Sequence, residues 1–234
     1  MMDWLLAPID LARPHEVAAT LSWHARSMVL AWAVLVPLGV LSARYLKVMP
    51  GQDWPRDLDN PVCWTLHRLF QYAAGAIMLG GLVLALLRPE VVTSLTAQAW
   101  FHRGLGWIVL GLAAVQFLSA LLRGTKGGPT ARAADGSLRG DHYDMTPRRI
   151  IFEWVHKTSG RVALGLSVPV VLSGLWQLNA PRWMWLVLVI WWGLLMLIAR
   201  LAEKRLGVHD TYQAIWGPDP DLPGNRKQGD RGSV

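Results

Sequence analysis

The 234-residue chain has little charge and almost no cysteine. Only 17% of its residues are Asp, Glu, Lys or Arg, where a soluble domain of this size carries about 25%. Cys63 stands alone, which excludes an internal disulfide framework, a four-thiolate iron–sulfur site, a zinc site needing two thiols, and haem attached through C-x-x-C-H. Phe and Tyr are scarce at 4 each, against 14 Trp. The first twenty residues have no basic opening segment and carry Asp3, Asp10 and Glu16, so they do not read as a signal peptide.

Long apolar runs are plentiful. Uncharged stretches of 17 or more residues recur five times, and with their flanks they give spans over Trp23–Ala43, Leu69–Leu87, Gly104–Leu122, Val162–Leu178 and Trp183–Ala199. At about 1.5 Å rise per residue, each crosses a hydrocarbon layer of roughly 30 Å. The predicted fold class is therefore all-α, a polytopic membrane protein. Residues 1–21 form an interfacial segment, 22–206 the transmembrane domain and 207–234 a tail, Gly/Pro-rich and disordered from Gly217.

The formal net charge of +7 has a topological reading, not a nucleic-acid one. Arg13, Arg26, Arg88, Arg103 and Arg182 fall on the side shared by the amino terminus, and the other eighteen Lys and Arg on the opposite side. The richer side is expected to be cytoplasmic, with the amino terminus periplasmic and the carboxyl terminus inside. Trp23, Trp64, Trp100, Trp107, Trp154, Trp183 and Trp185 lie near span ends, as interfacial anchors do. Composition and the absence of an import signal suggest a bacterial inner membrane.

Four histidines sit at the amino-terminal ends of the first four spans: His24, His67, His102 and His156. Because the spans alternate in direction, His24 and His102 share the outer side while His67 and His156 share the inner side. One histidine at a helix end is commonly an interfacial residue. Four at matching ends, in two pairs at two depths, suggest two bis-histidine haem sites, since neutral imidazole is a transition-metal ligand. Four and seven residues after each histidine come Met28 and Ala31, Gln71 and Ala74, Gly106 and Val109, Gly160 and Ala163. These share the ligand's face and are mostly small, leaving room for a flat ring. A cation accompanies each histidine as a candidate propionate partner: Arg26, Arg68, Arg103 and Lys157.

The stretches HARSMVLAWAVLVPLGVLSARY, WTLHRLFQ, FHRGLGWIVLGLAAVQFLSALLR and WVHKTSGRVALGL resemble the cytochrome b561 transmembrane core as found in ferric-reductase-like and DOMON-linked members. The resemblance runs from Trp23 to Leu201. Its more specific pieces are the ARY ending the first span and the HK-x-x-GR of the fourth. It implies a four-helix haem-binding bundle plus a peripheral fifth helix whose Trp191 and Trp192 face lipid or a partner. It also implies two noncovalent b-type haems, His24 with His102 holding the outer one and His67 with His156 the inner one. The implied activity is electron transfer between a donor and an acceptor on opposite membrane faces, an oxidoreductase function; span length by itself puts the ligand levels roughly 20 Å apart. The implied donors are ascorbate, a quinol or a redox protein. Membrane lipid surrounds the bundle, and a homodimer or larger redox complex is compatible with it. Two alternatives stand beside this: a haem-bearing or structural membrane subunit of a larger respiratory or redox complex, and a quinol-oxidising cytochrome working on one side. His15, His142 and His209 carry no assigned role, and the 207–216 segment is expected to pack, not to do chemistry.

Overall fold

A computed structural model describes residues 2–13, 17–87, 96–123, 147–222 and 224–225. His15 and His142, and most of the basic Arg123–Arg149 loop, lie outside the described residues. Five helices are long and apolar enough to cross a membrane, at Ala19–Tyr45, Val62–Leu86, Ala97–Leu122, Pro147–Gln177 and Arg182–Leu206. Together they make a multi-pass all-α membrane protein. Among the described residues the only extended pairing is an isolated bridge between Pro8 and Pro181.

Every span but the fifth starts well before its charge-free run, because the helix begins at its cap and not at its last charge. The Thr96 side chain accepts from Ala99 N at 3.2 Å to start the third span. The fourth opens on Pro147, a position where the missing N–H costs nothing. His24, His67 and His102 thus each become the sixth residue of their helices and His156 the tenth. The ligand candidates lie one to two and a half turns inside the membrane helices, not at their tips.

The first and second spans form one antiparallel hairpin, and the third and fourth another. The hairpins meet along the first and fourth spans. Residues seven positions after each histidine lie in the core that the four spans share. Ala31, Ala74, Val109 and Ala163 are 0 to 2% exposed and belong to one core cluster with Trp32, Met78 and Val171.

The fifth span lies beside the four-helix bundle, but its Trp191 and Trp192 meet the bundle where the resemblance implies that they face lipid or a partner. Trp191 Nε1 donates to the Ala33 carbonyl of the first span at 2.7 Å, and Trp192 packs against the core cluster. The cause is local. Pro37 has no N–H to return to the carbonyl four residues back, which is that of Ala33. The first span widens into a π-helical turn over Leu30–Leu35, in which Val36 N bonds Ala31 O. Trp191 supplies a donor where proline removed one. Replacing Trp191 by Phe is expected to destabilise the bundle by about 1–2 kcal/mol, because a buried carbonyl loses its partner. Thermal unfolding of the two proteins in the same detergent measures this.

The two ends are closed differently. At one end the amino-terminal segment docks on the turn between the fourth and fifth spans. Asn179, at φ +48, accepts from Asp10 N at 3.0 Å and donates to the Asp10 and Arg13 carbonyls at 2.9 Å. At the other end a short helix, Thr211–Trp216, folds onto the loop after the first span, with Asp59 N bonded to Ala214 O at 3.0 Å. Tyr212, Ile215, Trp216 and Leu222 form its own small core. The described part of the tail is therefore packed past Gly217, where disorder is expected, as far as Asn225, whose Nδ2 donates back to Gly217 O. His209 belongs to this cap: its ring lies 4.9 Å from that of Trp54, and its carbonyl accepts from Lys47 Nζ at 2.8 Å. Burial there pushes the Lys47 amine below the usual lysine range, with Asp210 opposing the shift. The ARY of the first span ties this end to the fifth helix, Arg44 meeting Glu203 at 3.1 Å.

Candidate functional site

The four histidines come together as the two pairs that alternation of the spans requires. The ring centres of His24 and His102 lie 6.4 Å apart with planes at 90°. Those of His67 and His156 lie 6.3 Å apart with planes at 72°. Two imidazole nitrogens on one metal at about 2.0–2.1 Å each, plus ~1.1 Å from nitrogen to ring centre, give a spacing of about 6.3 Å. Both pairs therefore stand at the spacing that axial ligation of one metal requires.

Each ring is held by its other nitrogen. His24 Nδ1 donates to Gly81 O at 2.8 Å and His67 Nδ1 to Gly39 O at 2.9 Å. His102 Nδ1 reaches Val170 O and Ser173 Oγ, both at 3.1 Å, and His156 Nδ1 reaches Ser119 Oγ at 3.2 Å. The two serine hydroxyls themselves donate to backbone carbonyls, Ser173 to Val170 and Ser119 to Gln116, so their oxygens accept from the rings. A carbonyl or committed hydroxyl as partner fixes the proton on Nδ1 and leaves Nε2 bare, as a metal ligand needs. Among the described residues no hydrogen bond engages any of the four Nε2 atoms.

These bonds also set the register of each hairpin. His24 of the first span reaches the second at Gly81, and His67 of the second reaches the first at Gly39. The third and fourth spans repeat the exchange through His102 to Ser173 and His156 to Ser119. Each hairpin so presents one imidazole at either end. His24 and Gly39 are fifteen residues apart on one helix, which places the two levels about 22 Å apart along it. Glycine permits the close approach on both hairpins. A Cβ at Gly81 would meet Ser27 Cβ at 3.0 Å, and one at Gly174 would meet His102 Cε1 at 3.0 Å.

Between the hairpins a cavity of about 450 Å³ holds both His24 and His102, within the range of sites for small molecules and cofactors. Met28, Trp32, Gly106 and Val109 are among its largely apolar walls. Of the four candidate cations, Arg103 lines this cavity. Arg26 stacks on Trp23, 5.0 Å from its ring centre, and Arg68 is exposed. Lys157 is committed to Glu153 at 2.7 Å. Sequence reasoning missed Arg149, which is buried, paired with Glu153 at 3.1 Å and stacked on Phe152, whose ring lies 5.2 Å from that of His156. The signal was the Arg149, Glu153, Lys157 ladder at four-residue spacing, which puts all three on one helix face. Among the described residues no cluster of three or more His, Cys, Asp or Glu is present, and each level brings together two of the four histidines.

No family model matches the chain, and no solved structure does. Curated relatives do. A cytochrome b561, DM13 and DOMON domain-containing protein of Arabidopsis thaliana is 28% identical over 164 residues, 70% of this chain and 15% of that protein. Ferric-chelate reductase 1 of Bos taurus is 28% identical over 170 residues, 72% of this chain and 24% of that protein. A cytochrome b561 and DOMON domain-containing protein of Arabidopsis thaliana is 24% identical over 152 residues, 65% of this chain and 30% of that protein. The chain spans less than a third of the length of these relatives. Its homologues are thus cytochrome b561 domain-containing proteins and ferric-chelate reductase, and its five apolar helices fit a cytochrome b561 core.

Proposed function

We propose that the chain is a transmembrane electron carrier that holds two noncovalent b-type haems, His24 with His102 at one level and His67 with His156 at the other. The observation that carries the proposal is the pair of ring spacings, 6.4 and 6.3 Å, with all four Nδ1 atoms already committed. Two protein ligands per level suit a metal whose remaining positions are filled by a macrocycle, and would leave a bare ion under-coordinated. When bound, haem supplies a one-electron couple at each level.

The residues of the chain do the rest. The Nδ1 bonds hold each imidazole in one tautomer and orientation, so little has to move when the charge at its centre changes. His24 with His102 and His67 with His156 would hold a haem between them and leave its iron no open position for oxygen. Trp32, Met78, Val109 and Ala163 exclude water between the levels. Eighteen of the 23 Lys and Arg fall on the side of the His67 and His156 pair, which we assign to the cytoplasm. There Arg149, buried and stacked on Phe152, stands beside Lys157 as a candidate propionate partner, the two cations sharing Glu153. The donor class stays as the resemblance implies: ascorbate, a quinol or a redox protein.

The test is the haem-to-protein ratio of the purified chain, with oxidised and dithionite-reduced spectra, followed by reconstitution into liposomes enclosing ferricyanide. Two low-spin b haems and reduction of the enclosed acceptor by an external donor are expected. No haem in protein made with haem available would return the histidines to packing roles. Haem reduction without delivery to the enclosed acceptor would favour chemistry on one side only.

A further inference from the structure

The outer level has polar groups that the protein itself does not use. Gln177 lines the cavity holding His24 and His102, and its Nε2 is buried without a hydrogen-bond partner. The Thr20 hydroxyl is likewise buried and unpartnered. These two are placed alike. Thr20 lies four residues before His24, hence one turn outward on the same helix face, and Gln177 lies four after Ser173, which accepts from His102. The first and fourth spans that carry them pack against each other at this end. Arg103 lines the same cavity, and the other walls are mainly aliphatic or aromatic. A buried donor left unmatched is costly in a folded protein, and natural chains seldom retain one without a partner.

Resting on the two-haem proposal, we infer that Thr20, Gln177 and Arg103 form a carboxylate-binding rim at the outer level. An amide N–H and a guanidinium, both donors, line a cavity whose proposed occupant carries two carboxylates, and the buried Thr20 O–H stands one turn outward of His24, beside its wall at Leu21. The rim selects for an anion and explains both unmatched groups at once. It also fixes the occupant's orientation, its acidic edge outward and its apolar edge toward Trp32 and Val109. Thr20 and Gln177 act through the occupant's carboxylates, so they are positioning residues.

The experiment uses the full chain in detergent, comparing wild type with Thr20→Val, Gln177→Leu, the double variant and Gln177→Glu. Neither donor has a partner within the protein, so these changes cost the fold little. The readouts are haem release to apomyoglobin and the two midpoint potentials from a spectroelectrochemical titration, the outer centre being identified by its absence in His102→Ala. Loss of a hydrogen bond to a charged group should speed release of the outer haem about tenfold or more. It should also lower that centre's potential, since the carboxylate charge is then less neutralised, while the inner centre stays unchanged. Gln177→Glu should do the same by repulsion. Unchanged release and potential in a wild-type background of two haems would overturn the rim alone, and a raised melting temperature in those variants would show the donors to be mere unmatched groups. A wild type lacking the outer haem would overturn the two-haem proposal and the rim with it.

Discussion

Replacing either His67 or His156 by Ala is expected to leave one haem per chain, and the same one in both variants. Replacing His24 or His102 should leave the other. The expectation follows from which rings face each other. His67 and His156 are 6.3 Å apart at ring centre, and His24 and His102 are 6.4 Å apart, while the two levels are separated by about 22 Å of helix. No ligand can serve both levels. The side effects are small by comparison, since His67→Ala takes one donor from the Gly39 carbonyl, which keeps the Ser42 hydroxyl at 2.9 Å, at a cost of about 1 kcal/mol or less. The bundle should therefore survive with its second centre intact. Haem content by the pyridine haemochrome assay, with reduced spectra of each variant, reads the outcome. If His67→Ala and His24→Ala removed the same haem, the ligands would pair within a hairpin and the arrangement described above would be wrong.

This pairing was legible in the sequence for a simple reason. Span direction alternates, so a histidine at the start of each of four consecutive spans must fall on alternate faces. The roughly 20 Å separation of levels followed from span length alone. What holds the rings was not legible. The acceptors are Gly39, Gly81, Val170, Ser173 and Ser119, and each lies on the neighbouring helix of a hairpin, at a register that only packing sets. Nothing in the sequence near His24 points to Gly81.

Other placements that the sequence does not reveal have physical causes as well. Lys157 stands beside His156 in the chain, but successive residues on a helix point 100° apart, and Lys157 turns to Glu153. Arg149, two turns before His156, reaches its surroundings through Phe152. Trp191 sits in an apolar run that reads as lipid-facing, and only the carbonyl exposed by Pro37 on another span gives its indole N–H a reason to face inward. The tail after Gly217 looks disordered by composition. Leu222 nonetheless finds a surface in Tyr212, Ile215 and Trp216 of the Thr211–Trp216 helix.

Gly174 provides the second large effect. A Cβ there would stand 3.0 Å from His102 Cε1, closer than carbon atoms pack without displacement. His102 cannot retreat freely, because its Nδ1 is bonded to Val170 O and Ser173 Oγ on the same helix as Gly174. The two extra methyl groups of Val would therefore drive the ring off its axis or break those bonds, and an axial ligand displaced by a few tenths of an ångström or turned out of line no longer binds well. Gly174→Val is expected to abolish the outer haem and spare the inner one, matching His102→Ala without touching a ligand. Gly165 supplies the control. It lies on the same span, nothing stands within 4 Å of its Cβ position, and Ala there should leave both haems in place and add slightly to helix stability, by about 0.5–1 kcal/mol. Haem content and the reduced spectrum of the two variants decide the matter. Two retained haems in Gly174→Val would mean that the outer level tolerates a moved His102, and that its ring is not held as rigidly as its three-way contact with the fourth span implies.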